Sequence, residues 1–283
     1  MILWCPTLWI VTALVMDRQP TPVVRLVGVV IIGTCLNAMF CVLHETTHGT
    51  VFRQAQLDRW VGFILGVPSL FGFTAFKIAH LHHHRFLSTR HDQDEISNYC
   101  RTSHGYTALL YVWLGIGGFL YMAIAPLTAL SVASAVDRRR IFYEYALLMS
   151  IHATVWWVVI TAGRPGWLLW YWFLPVVAGV LENNCIFVAQ HLGTDRHGDA
   201  IRRSRSVRSN RIVSFLLFNG NYHLEHHLFP GVPWYNLPRL GSLIEPIYQI
   251  NDAVITTTYR GYLRRVLSEG PGPLPQPKDA PLP

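Results

Sequence analysis

Charged side chains are scarce in this sequence. Lys and Arg total 23 and Asp and Glu total 16, so 14% of the 283 residues are charged, where a soluble domain carries roughly 25%. Apolar residues make up 51% of the chain, and 10 Trp accompany 12 Tyr and 14 Phe. This composition excludes disordered, collagen-like and coiled-coil proteins and favours a membrane protein.

Other signals are missing as well. The five cysteines form no C-x-x-C pair, so neither a disulfide framework nor a zinc ribbon is predicted. The sequence contains no Gly-rich nucleotide fingerprint after a strand, no cysteine set for an iron–sulfur cluster and no fused haem domain. The net charge of +7 lies mostly between apolar segments and beside histidines. It therefore indicates membrane orientation and not nucleic-acid binding.

Long apolar segments recur along most of the chain. A membrane-spanning helix needs about 20 apolar residues. The candidates are Met1–Met16, Leu26–Leu43, Ile141–Gly163 and Trp167–Val188, with weaker ones at Trp60–Ala79 and Ala108–Val136. The first segment lacks a basic n-region and a small-residue cleavage site, so we interpret it as a short span and not as a signal peptide. We expect one domain over residues 1–268 and a Pro-rich, disordered tail over 269–283.

Histidines provide the strongest pattern. Nine of the 14 fall into four places, namely His44 and His48; His80, His83 and His84; His191; and His223, His226 and His227. Spacings of three and four residues place each set on one face of a helix. Neutral imidazole binds Zn, Cu, Fe and Ni, and a zinc ion takes three or four protein ligands. Nine ligands therefore predict two metal ions.

A shared site requires all four histidine groups on one side of the membrane. Trp60–Ala79 then cannot cross, and its glycines and proline favour an interfacial or re-entrant segment. One of the three apolar stretches between His84 and His191 must also fail to cross, and we expect it to be Ala108–Val136, which glycine and proline interrupt. Four crossings remain, with both termini cytoplasmic. Only Arg18, Arg25 and Arg164 then face outward, and the other 20 of the 23 basic residues lie inside, as the positive-inside rule expects. The predicted site is cytoplasmic.

These residues resemble the membrane fatty-acid desaturase superfamily, from His44-Glu-Thr-Thr-His-Gly49 to Leu237-Pro238. The segment Asn221-Tyr-His-Leu-Glu-His-His-Leu-Phe-Pro-Gly-Val-Pro-Trp-Tyr-Asn-Leu-Pro238 is similar to bacterial acyl desaturases and their hydroxylase relatives. The resemblance implies an all-α, multi-pass membrane fold with about four transmembrane helices, interfacial helices and a cytoplasmic cap. It also implies a histidine-ligated, non-haem di-iron centre that uses O2 and two electrons per turnover on an apolar chain. The resemblance defines three histidine boxes, at residues 44–48, 80–84 and 223–227. Their histidines other than His82 carry over as ligands, and His191 corresponds to a ligand that varies between His and Asn. No catalytic residue beyond the ligands is expected.

Several polar residues accompany the histidines. Asp92 and Asp94 follow the second box and Glu225 lies within the third, so we expect them to orient ligand imidazoles. Glu182 and Asn184 interrupt the last span and are candidates for contact with the metal-site surroundings or with a polar part of the substrate. His82 is expected to point away from the ligands, and His152 to make a helix contact or to have a substrate or proton role.

Partners and alternatives follow from the same residues. The lipid bilayer and an apolar acyl or alkyl substrate are expected, and electrons are expected from a separate ferredoxin, rubredoxin or cytochrome b5 type of protein. The run Arg202, Arg203, Arg205, Arg208 and Arg211 suits an acidic donor or anionic lipid headgroups. Desaturation is favoured. Hydroxylation or oxygenation of an apolar lipid or carotenoid is the nearer alternative, and a non-redox zinc membrane protein is the remote one.

Overall fold

The computed structural model describes residues 3–52, 54–195 and 200–275, and helices make up most of this part of the chain. The helices are α1 (Trp4–Arg18), α2 (Pro22–Thr47), α3 (Ala55–Gly66), α4 (Phe73–Phe86), α5 (Ser103–Val132), α6 (Ala135–Thr161), α7 (Gly166–Leu168), α8 (Leu174–His191), α9 (Arg211–Leu216), α10 (His223–Leu228), α11 (Leu237–Ile250) and α12 (Tyr259–Glu269). A π-helical turn, Leu169–Phe173, joins α7 to α8. The parallel strands β1 (Ser206–Val207) and β2 (Ile255–Thr256) pair with each other.

The described chain divides into two compact units. Unit 1 comprises Met1–Ile78 and Phe119–Glu182, and unit 2 comprises Ala79–Gly118 and Asn183–Pro283. The predicted single domain over residues 1–268 stays a prediction. In the predicted tail, Glu269 ends α12 and Leu274 N–H donates to Ser103 Oγ at 3.2 Å. Residues 276–283 of that tail lie outside the described residues.

Four helices are long and apolar enough to cross a membrane, or five if the bent pair α3 and α4 counts as one span. They are α2, α5, α6 and the continuous stretch Gly166–His191. The number agrees with the prediction, but the membership differs. The predicted span Met1–Met16 is the 15-residue α1, about 22 Å long, which is short for a hydrocarbon core of ~30 Å.

The prediction that Ala108–Val136 is a broken segment is wrong. Ser103–Val132 is one helix that contains Pro126, and Val136 already belongs to α6. In unit 2, Asn184 Oδ1 accepts from Gly118 N–H at 2.7 Å, and Asn184 Nδ2 donates to Leu114 C=O at 3.2 Å. Gly118 N–H and Leu114 C=O are four residues apart and would bond to each other in a regular helix. The side chain of Asn184 therefore supports α5 at a point where glycine weakens the helix.

Unit 1 holds the end of α2 against a sharply bent segment. α3 and α4 meet at 96° around the turn Val67–Ser69. His152 Nε2 lies 2.9 Å from Val67 C=O, and Trp172 Nε1 donates to Pro68 C=O at 2.9 Å. The predicted helix-contact role of His152 is thus confirmed. These bonds give partners to two backbone carbonyls that have no α-helical partner because the chain bends there.

Unit 2 packs around a core at the end of α8. Val188, Ala189 and Leu192 contact Tyr106 of α5 and Val266 of α12, with further apolar residues around them. A second cluster joins Leu224 of α10 to Tyr248 of α11. These two clusters thereby support the end of α8, which carries His191, and α10, which carries the last three histidines.

Candidate metal centre

The second histidine box lies on the last turns of α4. His80 and His83 are buried, and the ring centroid of His80 is 4.5 Å from that of His84. His82 points elsewhere, as predicted, because its Nδ1 lies 2.9 Å from Gln93 Oε1 and its ring packs on Phe86. The helical spacing therefore separates three histidines that face one another from a fourth that does not.

Unit 2 contains two groups of converging histidine nitrogens. In the first, His80, His84 and His226 each offer a nitrogen within 4.8 Å of the others. In the second, His83, His191 and His227 do the same. His223 adjoins the second group, since its Nε2 lies 2.8 Å from His191 Nε2 and 3.0 Å from His227 Nε2. All seven of these predicted ligands are therefore brought together.

These distances fit metal ligands. A metal ion about 2.1 Å from two imidazole nitrogens holds those nitrogens roughly 3.0–3.4 Å apart. The observed Nε2 to Nε2 distances of 2.8 Å for His223 and His191 and 3.1 Å for His226 and His84 are close to that range. Burial lowers the pKa of His227 well below its ordinary value, and the neighbouring histidines lower it further. The ring is therefore neutral, which is the form that binds metal.

His83 is oriented by carboxylates. Its Nδ1 lies 2.8 Å from Asp92 Oδ1 and 3.5 Å from Asp94 Oδ2. Burial opposes the charge of His83, but the two carboxylates outweigh it and raise the pKa to about 9. Burial also raises the pKa of Asp94 to about 7. A carboxylate on Nδ1 fixes the ring and directs Nε2 toward a metal, as in many metal sites.

The first box lies at the end of α2 in unit 1. The ring centroids of His44 and His48 are 5.3 Å apart. Burial, with help from His44 and Lys77, lowers the pKa of His48 to about 2. Glu45 lies beside the pair, with Oε1 3.3 Å from His44 Nδ1 and Oε2 accepting from Thr50 Oγ1 at 3.1 Å. The imidazole of His48 is therefore neutral, and Glu45 orients the imidazole of His44.

One carboxylate beside these histidines was not among the expected site residues, and the structure distinguishes two that were. Glu45 was missed, although an acidic residue next to a box histidine in an apolar segment is a signal for ring orientation. Asp92 and Asp94 were both expected to orient a ligand, and Asp92 makes the shorter contact with His83. The loop after α4 places Asp92 closer to His83 than Asp94, because the Asp92 carboxylate is held by bonds from Ser88 N–H and Asp94 N–H.

Three other candidates have different neighbours. Glu182 in unit 1 accepts from Thr34 Oγ1 at 2.7 Å. Both polar atoms of Asn184 bond to α5, so its expected contact with the metal-site surroundings or the substrate has no support among these bonds. Glu225 is fully buried and contacts Arg208 Nη2 at 3.0 Å and Ser206 Oγ, so it acts on the chain around α10.

The predicted basic docking run is contradicted by burial. Arg203 and Arg205 are each 3% exposed, and Arg205 donates to the backbone at the end of α8. Arg202 and Arg208 are paired with acidic residues, whereas Arg211 is exposed. A continuous basic surface is therefore not formed by this run, because its centre is inside unit 2.

Comparison with known proteins identifies the family. The sequence profile described as "Fatty acid desaturase" matches residues 20–259. The chain belongs to the fatty acid desaturase family and is an integral membrane protein whose histidine groups are suited to metal binding.

Individual relatives are distant. The chain is 25% identical to the sphingolipid delta(4)-desaturase DES1 of Mus musculus over 232 residues, which cover 77% of this chain and 65% of that protein. It is 22% identical to the sn-1 oleoyl-lipid 12-desaturase of Arthrospira platensis, over 72% of this chain and 64% of the relative. It is 24% identical to the sphingolipid delta(4)-desaturase/C4-monooxygenase DES2 of Mus musculus, over 76% and 64%. The chain thus spans just under two thirds of the length of these relatives.

Proposed function

We propose that this protein is an O2-dependent oxidoreductase that introduces a double bond into a long acyl or alkyl chain at the membrane. The observation that carries the proposal is the pair of converging imidazole groups in unit 2 of a fatty acid desaturase family member. The relatives named above desaturate sphingolipid and acyl-lipid chains according to their names. A lipid chain as substrate is consistent with a protein whose long helices are apolar.

Nine histidines serve as ligands of two iron ions. They are His44, His48, His80, His83, His84, His191, His223, His226 and His227. The nitrogen distances of the unit 2 histidines support seven of them. For His44 and His48, support comes from the i, i+4 spacing and from the low pKa of His48. When bound, the irons supply O2-dependent oxidation of an unactivated C–H bond.

The protein's own residues hold and shield the ligands. Asp92 accepts from His83 Nδ1, Asp94 lies 3.5 Å from the same nitrogen, and Glu45 faces His44 Nδ1. Each ring therefore keeps the nitrogen remote from its carboxylate for metal. Burial of His80, His83, His223 and His226 excludes water from the ligand face. A narrow, stiff path for the chain is needed so that the second hydrogen is lost before oxygen is transferred. The prolines at 230, 233 and 238 are placed to stiffen such a path after the third box.

The site lies on the cytoplasmic side in this proposal. Three long helices, namely α5, α6 and the stretch Gly166–His191, lie between His83 and His191, whose rings are 4.9 Å apart. The proposal therefore requires an even number of them to cross the membrane, and it takes α5 as the one that does not, although α5 is long and apolar enough to cross. In unit 1, Arg164 lies 3.9 Å from Asp17, and Tyr171 donates to Asp17 at 3.3 Å. The α1–α2 and α6–α7 connections therefore share one end, as the predicted topology requires. Arg138, Arg139 and Arg140 at the start of α6 favour the cytoplasm at the other end.

Electrons come from a separate protein of the ferredoxin, rubredoxin or cytochrome b5 type, and no nucleic acid takes part. A second candidate function is hydroxylation, because one relative is named both a desaturase and a C4-monooxygenase. The ligands do not decide between the two outcomes. The fit of the chain after the first hydrogen is removed does, since oxygen transfer and loss of the neighbouring hydrogen compete.

Lipid analysis tests the proposal. Cells that make the wild-type protein are compared with cells that make His226→Ala, and their lipids are profiled by mass spectrometry. The purified protein is then reconstituted with each donor type, O2 and either an acyl lipid or a sphingoid chain deuterated at adjacent carbons. Loss of two hydrogens from the chain supports desaturation, and gain of one oxygen as the main product supports hydroxylation. Iron-loaded, reduced protein that changes none of these chains contradicts the proposal.

A further inference from the structure

A short buried segment in unit 2, residues 203–208 with the sequence Arg-Ser-Arg-Ser-Val-Arg, is here named the clasp. It includes β1, which pairs in parallel with β2. Residues 203–207 are buried, and Arg203 and Arg205 are only 3% exposed. Arginine is rarely buried to this degree unless its donors are bonded. The partners of the clasp therefore indicate what it does.

Arg205 donates hydrogen bonds to the backbone carbonyls at the end of α8, whose last residue is His191. Its Nη1 donates to Ala189 C=O and to Leu192 C=O, both at 2.8 Å, and its backbone N–H donates to Gln190 C=O at 2.8 Å. Its Nη2 donates to Gly193 C=O at 3.3 Å. The last carbonyls of a helix have no partner within the helix. One side chain thus supplies the donors that orient the turn carrying His191.

Tyr262 of α12 completes this arrangement. The guanidinium of Arg205 lies 4.5 Å from the centre of the Tyr262 ring, and Tyr262 Oη donates to Leu192 C=O at 2.8 Å. Thr194 Oγ1 donates to the carbonyl of His191 itself at 2.9 Å. Every carbonyl from Ala189 to Gly193 therefore has a donor from outside α8.

The same segment bonds to the end of α4. Arg203 Nη1 donates to Leu87 C=O at 3.2 Å, and Ser88 Oγ donates to Arg203 C=O at 3.3 Å. Leu87 and Ser88 directly follow α4, whose last turns carry the second histidine box. The clasp thus holds two helix ends that carry histidines. Arg203 bonds to the end of α4, and Arg205, two residues later, bonds to the end of α8.

The other half of the clasp bonds to α10. Ser206 Oγ accepts from Leu224 N–H at 2.9 Å and donates to Glu225, and Arg208 Nη2 lies 3.0 Å from Glu225 Oε1. Val207 N–H donates to Asn221 C=O at 2.8 Å, just before α10 begins. A Cβ at Gly241 would lie 2.5 Å from Glu225 Oε1, so α11 leaves room for this buried pair. These bonds hold α10, the helix that carries the third histidine box.

We propose that the clasp positions the metal ligands of unit 2, because it is one continuous segment bonded to all three helices that carry them. The inference rests on the proposed function, since it concerns ligands of the proposed metal centre. Arg203, Arg205, Ser206 and Arg208 are positioning residues, because their bonds described above go to helix ends and to Glu225. Their bonds fix the relative register of α4, α8 and α10. Loss of a bond frees a ligand-bearing turn and weakens metal binding, as loss of an orienting partner does in other metal sites.

The test compares identical substitutions at buried and exposed positions. Arg205→Lys keeps the charge but loses the fork that reaches three carbonyls, and Arg211→Lys makes the same change on the surface. Ser206→Ala removes the hydroxyl between Leu224 N–H and Glu225, and Ser242→Ala removes an exposed hydroxyl of α11. Each detergent-purified, metal-free protein is titrated with Fe(II) without oxygen by equilibrium dialysis. Far-UV circular dichroism and thermal unfolding are recorded on the same samples.

We expect the two clasp variants to bind Fe(II) about 10–100-fold more weakly with unchanged helix content, and the two surface variants to stay within twofold of wild type. Arg205→Lys is also combined with His191→Ala. If Arg205 acts through His191, its effect on Fe(II) affinity disappears in that background, whereas a general loss of stability would add to it. Should Arg205→Lys not fold, Ser206→Ala decides.

Three results overturn the proposal. Clasp variants that fold and bind Fe(II) as wild type does contradict the clasp alone. Clasp variants that both lose their helix content show that the segment serves folding in general. A wild-type protein that binds no iron removes the proposed function, and the positioning role of the clasp with it.

Discussion

Individual histidines differ sharply in their surroundings, although several are neighbours in sequence. His83 is buried, faces Asp92 and lies 4.9 Å, ring to ring, from His191. His82, the residue before it, lies instead against Gln93 and Phe86. A helix rotates each residue by about 100° from the last. Adjacent imidazoles in the second box therefore face different directions.

The first prediction uses this contrast. His83→Ala or His226→Ala should reduce turnover at least ~100-fold, because each removes a proposed ligand from one of the two histidine groups. His82→Ala is the matched control and should retain turnover within about threefold. Product formation by mass spectrometry and bound iron by elemental analysis are measured together. An essential His82 beside a dispensable His83 would contradict the ligand assignment.

The second residue-scale prediction concerns Asp92. Asp92→Asn keeps the size of the side chain but removes the negative charge facing His83 Nδ1 at 2.8 Å. We expect Fe(II) affinity to fall about 10–100-fold, since orienting carboxylates affect metal affinity to this extent. Asp137→Asn, a partly exposed acid at the start of α6 that lies far in sequence from the proposed ligands, is the control. Equal Fe(II) affinity in the two variants would show that Asp92 does not orient a ligand.

At the scale of elements, α2 and α8 pack closely within unit 1. A Cβ at Gly33 would lie 2.7 Å from Ala178 Cβ and 3.0 Å from Gly179 N, and a Cβ at Gly179 would lie 2.8 Å from Gly33 C=O. Small residues that let two backbones approach are the usual basis of helix association in membranes. Glu182 and Thr34 add a hydrogen bond between the same helices.

Gly33→Ala should therefore destabilise the protein by about 1–3 kcal/mol, the range for overpacking a tight contact. Gly115→Ala in α5 is the matched control, because nothing lies within 4 Å of a Cβ there, and it should be neutral or slightly stabilising. Thermal unfolding in detergent distinguishes them. Equal midpoints would mean that α2 and α8 do not pack this closely.

At the scale of the whole molecule, metal content separates the classes of protein. Gently purified protein should contain about two irons per chain, because nine imidazoles exceed the roughly six ligands that one octahedral ion accepts. Removal of iron by a chelator should abolish turnover, and readdition of Fe(II) should restore it. Elemental analysis with an activity assay is the measurement. Active protein with one zinc and no iron would indicate the non-redox alternative.

The sequence by itself determined the features that depend on local spacing. The scarcity of charge and the long apolar runs predict a helical membrane protein, and the i+3 and i+4 spacing of His80, His83 and His84 predicts which imidazoles share a face. These follow from the period of the α-helix, which is the same wherever the helix is placed. The family resemblance, confirmed by the match over residues 20–259, depends on the same local motifs.

Only the tertiary structure decided the features that depend on partners distant in sequence. The sequence suggests that Arg203 and Arg205 belong to a charged surface. They are buried instead, because carbonyls at the ends of α4 and α8 accept hydrogen bonds from their guanidinium groups. Asn184 suggested a metal or substrate contact, but its amide supports α5 more than 60 residues earlier in the chain. A polar side chain in a low-dielectric interior is placed by whichever unsatisfied group it meets. That group is set by packing, which no local pattern of residues specifies.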